Sequence, residues 1–145
     1  MTKMIRNFMV IVLSLFAVSM MGCSKDDVVI PQNQLPQNAQ TFINTYFQDC
    51  TFAQAIKDGR EYEVYFANGF EIEFDRNGEW ESIDCKNIAV PAGIVPETIV
   101  NYVNQTFAQC FIVEISRDRH GYDMELNNGL DLDFDKNGNF IRIDD

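Results

Sequence analysis

The clearest structural signal in the chain is the stretch Asn68-Gly-Phe-Glu-Ile-Glu-Phe-Asp-Arg-Asn-Gly78. It carries an Asn-Gly pair at each end, and between the pairs apolar residues alternate with acidic ones. Asn-Gly favours two-residue hairpin turns because such turns need positive φ angles, and strict alternation is typical of a strand with one buried side. The stretch therefore predicts a half-buried strand between two tight turns.

The same pattern returns sixty residues later, as Asn128-Gly-Leu-Asp-Leu-Asp-Phe-Asp-Lys-Asn-Gly138. Around it, residues 35–85 align with residues 95–145 without a gap. A gapless internal match of this length indicates duplication. We therefore expect two tandem copies, joined by a linker at residues 86–94.

Each copy opens with a proline and an apolar residue at every fourth position, which predicts a short amphipathic helix. Four strands are then expected in each copy, at residues 51–57, 61–67, 70–75 and 79–84, and again at 111–117, 121–127, 130–135 and 139–144. The expected fold class is α+β, with two tandem α-β4 repeats that form an antiparallel sheet of about eight strands. The helices should pack on one face of this sheet and leave the other face in solvent. Trp80 and Ile83 have opposite parity in their strand, so one of them lies on the solvent side or a bulge intervenes.

Residues 1–22 have the pattern of an export signal, with basic residues before an apolar run. The sequence Met20-Met-Gly-Cys23 resembles a bacterial lipobox, which implies cleavage before Cys23 and lipidation of that cysteine. Residues 23–34 are then interpreted as a tether between lipid and domain. We expect a protein that is lipid-anchored at the outer membrane and faces the periplasm or the cell surface. The alternatives are an ordinary secretory signal that leaves Cys23 free, or a retained anchor.

Removal of residues 1–22 leaves nine basic and 22 acidic residues, a formal net charge of −13. So acidic a surface would repel nucleic acid and anionic lipid headgroups. The predicted partner is therefore an unidentified protein or peptide, and the membrane is contacted through the lipid anchor only.

Three further cysteines, Cys50, Cys85 and Cys110, are expected in an oxidising compartment. If the strands follow sequence order across one sheet, the end of one strand brings Cys85 beside Cys110, and these two residues are the candidate disulfide. If the copies instead meet across a two-fold axis, Cys50 and Cys110 could pair. Three unpaired thiols are the remaining alternative.

Residues 62–80 and 122–140, with Asn-Gly and Asp-x-Asn-Gly turns at fixed spacing, resemble the PepSY-like domain family. That family is also described as similar to the β-lactamase inhibitor protein. The resemblance covers about residues 36–145 and implies tandem α+β repeats, secretion and a non-catalytic role. The inhibitor's contact residues have no counterparts here, so the resemblance supplies neither a site nor a partner.

No cofactor, metal ion or catalytic residue is predicted, and we do not expect an enzyme. Asp75-Arg-Asn-Gly78 and Asp135-Lys-Asn-Gly138 look like the start of a calcium loop, but glycine stands fourth where such a loop needs it sixth. Hairpin turns are the better interpretation. His120 is the single histidine, and no Cys-x-x-Cys pair accompanies it to form a zinc site.

The candidate partner-binding surface is the solvated side of the sheet. Its carboxylates are denser than solubility requires, and exposed aromatic residues often anchor interfaces. The alternative interpretation is a solvated side that has no partner, which would also be acidic. We expect this side to bind another protein or peptide in the manner of an inhibitor. The alternative is a structural lipoprotein of the envelope that binds a cation or a small ligand. The predicted binding residues are Glu61, Glu63, Tyr65, Glu71, Glu73, Trp80, Asp123, Glu125, Asp131 and Asp133.

Overall fold

The structure, a computed structural model, describes residues 27–144. The predicted signal segment and the lipidation site at Cys23 lie outside the described residues. Neither helix in the described part of the chain is long and apolar enough to cross a bilayer. The helices are α1 (Gln37–Tyr46) and α2 (Glu97–Thr106), and a 3-10 turn covers Gln32–Gln34. The strands are β1 (Asp27–Ile30), β2 (Phe52–Asp58), β3 (Glu61–Phe66), β4 (Glu71–Phe74), β5 (Trp80–Asp84), β6 (Ile112–Arg117), β7 (Gly121–Leu126), β8 (Asp131–Asp135) and β9 (Phe140–Asp144).

All nine strands form one antiparallel sheet in which each strand pairs with its neighbours in sequence. The two halves of the chain join at β5 and β6, where Ile83 lies opposite Ile115. The predicted fold class, two tandem α-β4 repeats with about eight strands and helices packed on one face, is therefore wrong. The described chain is a single, mostly β structure in which two ten-residue segments are α-helical.

Part of the segment predicted as a tether is structured. β1 pairs antiparallel with β2, with Asp27 opposite Asp58 and Ile30 opposite Ala55. Ile30 is buried in the core. The Val-Val-Ile run of β1 has high β-propensity, and burial of its last residue favours pairing over solvation. This pairing supplies the ninth strand, which the sequence did not predict.

The apolar core lies along one side of the sheet. Val64, Ile72, Ile83, Ile115 and Leu132 come from five different strands and are all 0% exposed. Burial of one such side chain stabilises the fold by roughly 1.5–3 kcal/mol. Because neighbouring residues of a strand point to opposite sides, a slip of one residue would carry carboxylates into this core, and the register is fixed.

Each helix follows a proline and buries residues four positions apart. Aromatic rings connect the helices to the sheet: Phe42 of α1 lies edge-on to Phe74 at 5.8 Å, and Tyr102 of α2 stacks on Phe140 at 4.8 Å. Aromatic pairs in these geometries stabilise by about 0.5–1.5 kcal/mol beyond the area that they bury. The buried helix residues are Ala39 and Ile43 in α1, and Ile99 and Val103 in α2.

Register shifts interrupt the strand pairing at four places, and the shift between β4 and β5 bears on the predicted site. The extra residue there is Glu81, because Ser82 pairs in register whereas Trp80 lies opposite Phe74. A bulge of this kind lets two residues of opposite parity reach the same side of a sheet. Trp80 and Ile83 are accordingly both buried.

The two Asp-x-Asn-Gly sequences form hairpin turns. The Asp75 carboxylate accepts hydrogen bonds from the backbone N–H groups of Asn77 at 2.8 Å and Glu79 at 2.9 Å. Asp135 accepts the equivalent bonds in the second half. Gly78 follows with a φ of +80°, a conformation that glycine adopts without a Cβ clash. Desolvation of Asp75 acts in the opposite direction, but these hydrogen bonds hold its pKa below the usual value.

Candidate functional site

The side of the sheet opposite the core carries carboxylates on consecutive strands, and we call it the acidic face. It contains two rows of residues that run across the strands. The long row places six carboxylates directly opposite one another, on strands β4 to β9: Glu71, Asp84, Glu114, Glu125, Asp131 and Asp144. The second row contains Glu63, Glu73, Ser82, Ser116, Asp123, Asp133 and Arg142.

The long row juxtaposes like charges. Side chains directly opposite each other across antiparallel strands have Cβ atoms about 4.5–5.5 Å apart, and like charges in that position destabilise a sheet. Burial raises the pKa of Glu114 to about 7, and repulsion from Asp84 and Glu125 adds to the shift. Desolvation followed by neighbouring carboxylates also raises the pKa of Asp131. Repulsion between the carboxylates of the long row therefore lowers the stability of the folded chain.

Two basic side chains border the acidic face. Lys86 bonds to Asp84, and its Nζ lies 3.9 Å from Glu71. At the other end, Arg142 lies 2.6 Å from Asp133. Two cations do not balance the six carboxylates of the long row, so the face retains a strong negative potential.

Tyr65 continues the long row into β3, where it lies opposite Glu71. Its hydroxyl donates a 2.7 Å hydrogen bond to Glu63. Burial, and then this bond to a carboxylate, raise the pKa of Tyr65 above its ordinary value. The ring is thus a neutral, oriented aromatic group at one end of the acidic face.

Nine of the ten residues predicted as the binding surface lie on the acidic side of their strands, and Trp80 does not. Trp80 is 7% exposed and lies on the core side. Its ring centroid is 6.4 Å from that of Phe42, and the Arg117 guanidinium group lies 4.0 Å from the Trp80 ring centroid. The bulge at Glu81 is the reason, because it reverses the parity of Trp80. The nine residues on the acidic side are Glu61, Glu63, Tyr65, Glu71, Glu73, Asp123, Glu125, Asp131 and Asp133.

Sequence reasoning missed three members of the long row, namely Asp84, Glu114 and Asp144. All three lie on strands with a register shift, where alternation counted from the start of the strand assigns the wrong side. The sequence did offer one signal, because residues 84 and 144 are sixty positions apart and are both aspartate. That identity marks two equivalent positions, but it does not show on which side of the sheet they lie.

The candidate disulfide between Cys85 and Cys110 is not formed. Cys50, Cys85 and Cys110 are all free thiols. The backbone N–H of Cys85 donates to the carbonyl of Val113 at 2.9 Å. Cys85 therefore lies beside Val113, which is three residues along the chain from Cys110. Burial raises the pKa of the Cys85 thiol to about 12, which keeps it protonated and unreactive.

Metal binding at a compact site is not supported by the described residues. Within residues 27–144, no three His, Cys, Asp or Glu side chains are arranged to hold a metal ion. Carboxylates that face one another across strands form an extended line, whereas tight calcium binding needs ligands that converge on one point.

Residues 60–142 match a family described as "Putative beta-lactamase-inhibitor-like, PepSY-like". No curated protein matches the chain.

Solved structures from Bacteroides resemble the chain along most of its length. A protein of Bacteroides vulgatus ATCC 8482, described as "a putative periplasmic protein from DUF2874 family", is 41% identical with a TM-score of 0.80 and covers 85% of this chain and 100% of its own. A Bacteroides thetaiotaomicron protein, described as "a putative calcium-regulated periplasmic protein", is 40% identical with a TM-score of 0.80 and covers 83% of this chain and 98% of its own. A second B. vulgatus protein, described as periplasmic and "of unknown function", is 38% identical with a TM-score of 0.77 and covers 82% of this chain and 99% of its own.

The raised pKa of Glu114 predicts that the fold loses stability as the pH rises. Since the pKa is higher in the folded than in the unfolded chain, the stabilisation is fully present below about pH 4.5 and is lost as the pH rises through about 7. We expect the melting temperature of the wild type to fall between pH 5 and pH 8. Glu114→Gln should remove part of that fall and, after allowance for solvent screening, raise the free energy of unfolding at pH 8 by about 1 kcal/mol. Thermal unfolding followed by circular dichroism measures both quantities.

The matched control is Glu97→Gln, which removes an exposed carboxylate from the first turn of α2, away from the acidic face. Its melting temperature should change with pH as steeply as that of the wild type. If Glu114→Gln and the wild type show equal slopes, the electrostatic description of the long row is wrong.

Proposed function

Because this chain belongs to the PepSY-like, beta-lactamase-inhibitor-like family, we propose that it is a non-catalytic periplasmic protein that binds a basic segment of another protein through the acidic face. One observation carries the proposal: six carboxylates face one another on six consecutive strands. Adjacent strands lie about 4.8 Å apart, so the long row extends about 24 Å.

The geometry favours an extended or loop segment rich in Lys and Arg. In an extended peptide, side chains on one side are about 6.5–7 Å apart, and flexible Lys or Arg side chains can reach carboxylates spaced by single strands. Burial is the main cause of the raised pKa of Glu114, and binding of cations would remove the like-charge repulsion that adds to it. The free protein thus carries a repulsion that a basic partner relieves, and complementary charge also accelerates association.

Tyr65 offers an aromatic contact at one end of the long row. Its hydroxyl is already bonded to Glu63, so the ring is held in place before a partner arrives. Oriented tyrosine side chains contribute contact area at a low cost in conformational entropy. A basic segment with an Arg or an apolar residue at this end would fit best, because Arg also stacks on aromatic faces.

The proposal is tested with a short lysine-rich peptide as a defined probe, titrated by isothermal calorimetry at low salt. Neutralisation of two adjacent members of the long row, Glu125→Gln with Asp131→Asn, should weaken binding about tenfold, or about 1.4 kcal/mol. Added salt should weaken the binding of the wild type much more than that of this variant, because the contacts are charge pairs at the protein surface.

The control is Asp49→Asn with Glu97→Gln, which removes the same number of charges from exposed positions away from the acidic face. It should bind the peptide like the wild type. Equal weakening in both variants would mean that net charge alone attracts the peptide and that the acidic face is not a site. If the control binds like the wild type, photo-crosslinking from position 65 in intact cells is the means of identifying a natural partner.

Calcium binding is a second candidate function, favoured by the 40% identical B. thetaiotaomicron protein described as calcium-regulated. Cations held along the long row would bind weakly, since the row lacks convergent ligands. Millimolar calcium chloride should then raise the melting temperature of the wild type more than magnesium chloride does, and the rise should shrink in the Glu125→Gln, Asp131→Asn variant. Equal effects of the two salts on both proteins would exclude a calcium-specific role.

We further propose that the protein is anchored by lipid at Cys23, with the domain held at the outer membrane. The support is the lipobox-like Met20-Met-Gly-Cys23 sequence together with the periplasmic descriptions of the similar structures. Growth with an alkyne-tagged fatty acid should label the wild type, and Cys23→Ser should abolish the label. Label retained in Cys23→Ser would rule out this anchor.

A further inference from the structure

Strand β9 has a hydrogen-bonded neighbour on one side only. Among residues 27–144 it pairs with β8, and it is the last strand in the order of the sheet. Its equivalent sixty residues earlier, β5, is paired on both sides, with β4 and with β6. The backbone edge that β6 occupies on β5 is therefore available on β9, and unpaired edges are templates for further strands.

The side chains of β9 show the same difference. Ile143 is 43% exposed, whereas its equivalent Ile83 is 0% exposed. Ile83 owes its burial in part to Ile115 of β6, which lies opposite it. Ile141 is also 55% exposed. The free edge thus leaves apolar surface in solvent at the position where the equivalent strand is covered.

The charges of β9 make this edge complementary to itself. Arg142 and Asp144 flank Ile143 and lie on the acidic face. If two copies pair antiparallel about a two-fold axis at Ile143, Arg142 of each copy lies opposite Asp144 of the other, and the two Ile143 side chains meet. Opposite charges in cross-strand positions stabilise strand pairing, and here there are two such pairs.

We propose that β9 is a dimerisation edge, on which the occupant is β9 of a second copy of this chain. The pairing is isologous, so it closes at two copies. Pairing of β9 with β1 of another copy would be heterologous and open-ended, and β1 offers Val28 and Val29 but no basic residue to match Asp144. The dimer joins two acidic faces across a seam that carries Arg142 from each copy.

The interface is small, so the dimer should be weak and dependent on concentration. A single pair of edge strands buries far less than the roughly 1,000 Å² that marks a stable interface. The formal charge of −13 on each mature chain opposes association, while the two Arg–Asp pairs favour this register over its alternatives.

Sedimentation equilibrium over a range of concentrations tests the proposal, with the chain from residue 24 onward, which contains the whole described sheet and its core. The wild type should show a monomer–dimer equilibrium. Arg142→Asp and Asp144→Arg should each raise the dissociation constant at least about tenfold, because each places like charges opposite each other at both ends of the seam. An equimolar mixture of the two variants should dimerise again, since a mixed dimer restores both opposite-charge pairs.

Two controls keep the result decisive. Val29→Lys alters an exposed residue on β1, the other edge of the sheet, and should leave the dimer intact. Because Arg142→Asp also removes the ion pair with Asp133, its melting temperature is checked; if it is unfolded, Asp144→Arg and Ile143→Lys decide by themselves. The proposal is overturned if the wild type remains monomeric, or if Asp144→Arg and Ile143→Lys dimerise like the wild type. It is also overturned if Arg142→Asp and Asp144→Arg, both folded, fail to dimerise on mixing, or if Val29→Lys abolishes association.

Discussion

Cross-strand register is the constraint on which the rest of this structure depends. In β3, β4, β7 and β8 apolar residues alternate with mainly acidic ones, and the core accepts only the apolar set, so the register cannot shift without placing carboxylates beside Ile72 or Leu132. Once every strand is fixed to its neighbour, the acidic residues on the other side are fixed as well. The long row follows from the burial of the core, with no separate interaction needed to assemble it.

The same constraint explains why the acidic face is electrostatically unfavourable. Antiparallel pairing of strands in sequence order places residues that point to the same side directly opposite one another, and on this side of β4 to β9 those residues are acidic. A shift of register to relieve the repulsion would cost the burial of several aliphatic side chains, each worth roughly 1.5–3 kcal/mol. The repulsion therefore persists, and it adds to burial, the larger cause, in raising the pKa of Glu114. Structures tolerate such local costs most often where function requires them.

The two ends of the sheet differ, although the elements between them recur at sixty residues. β1 covers the edge of β2 and has no equivalent in the second half, where β5 occupies the corresponding edge of β6. At the opposite end, among residues 27–144, β9 lacks the neighbour that β6 provides for β5. One edge of the sheet is therefore formed by an additional strand, β1, and the other by β9, which carries a self-complementary set of side chains.

The amino-acid sequence alone was enough to predict the local elements and most of the acidic face. Alternation and Asn-Gly turns place the hairpins, four-residue spacing places both helices, and nine of ten predicted surface residues lie on the side that alternation assigns to them. These signals are local, since they depend on side-chain period and turn chemistry within a few residues. The tertiary structure was needed to show that β1 extends the sheet to nine strands, that Trp80 turns into the core, and that Asp84, Glu114 and Asp144 complete the long row. Each of these features depends on a bulge or on the pairing of strands that are distant in sequence. Bulges and long-range pairing depend on how the whole core is buried, which cannot be read from a short stretch of sequence.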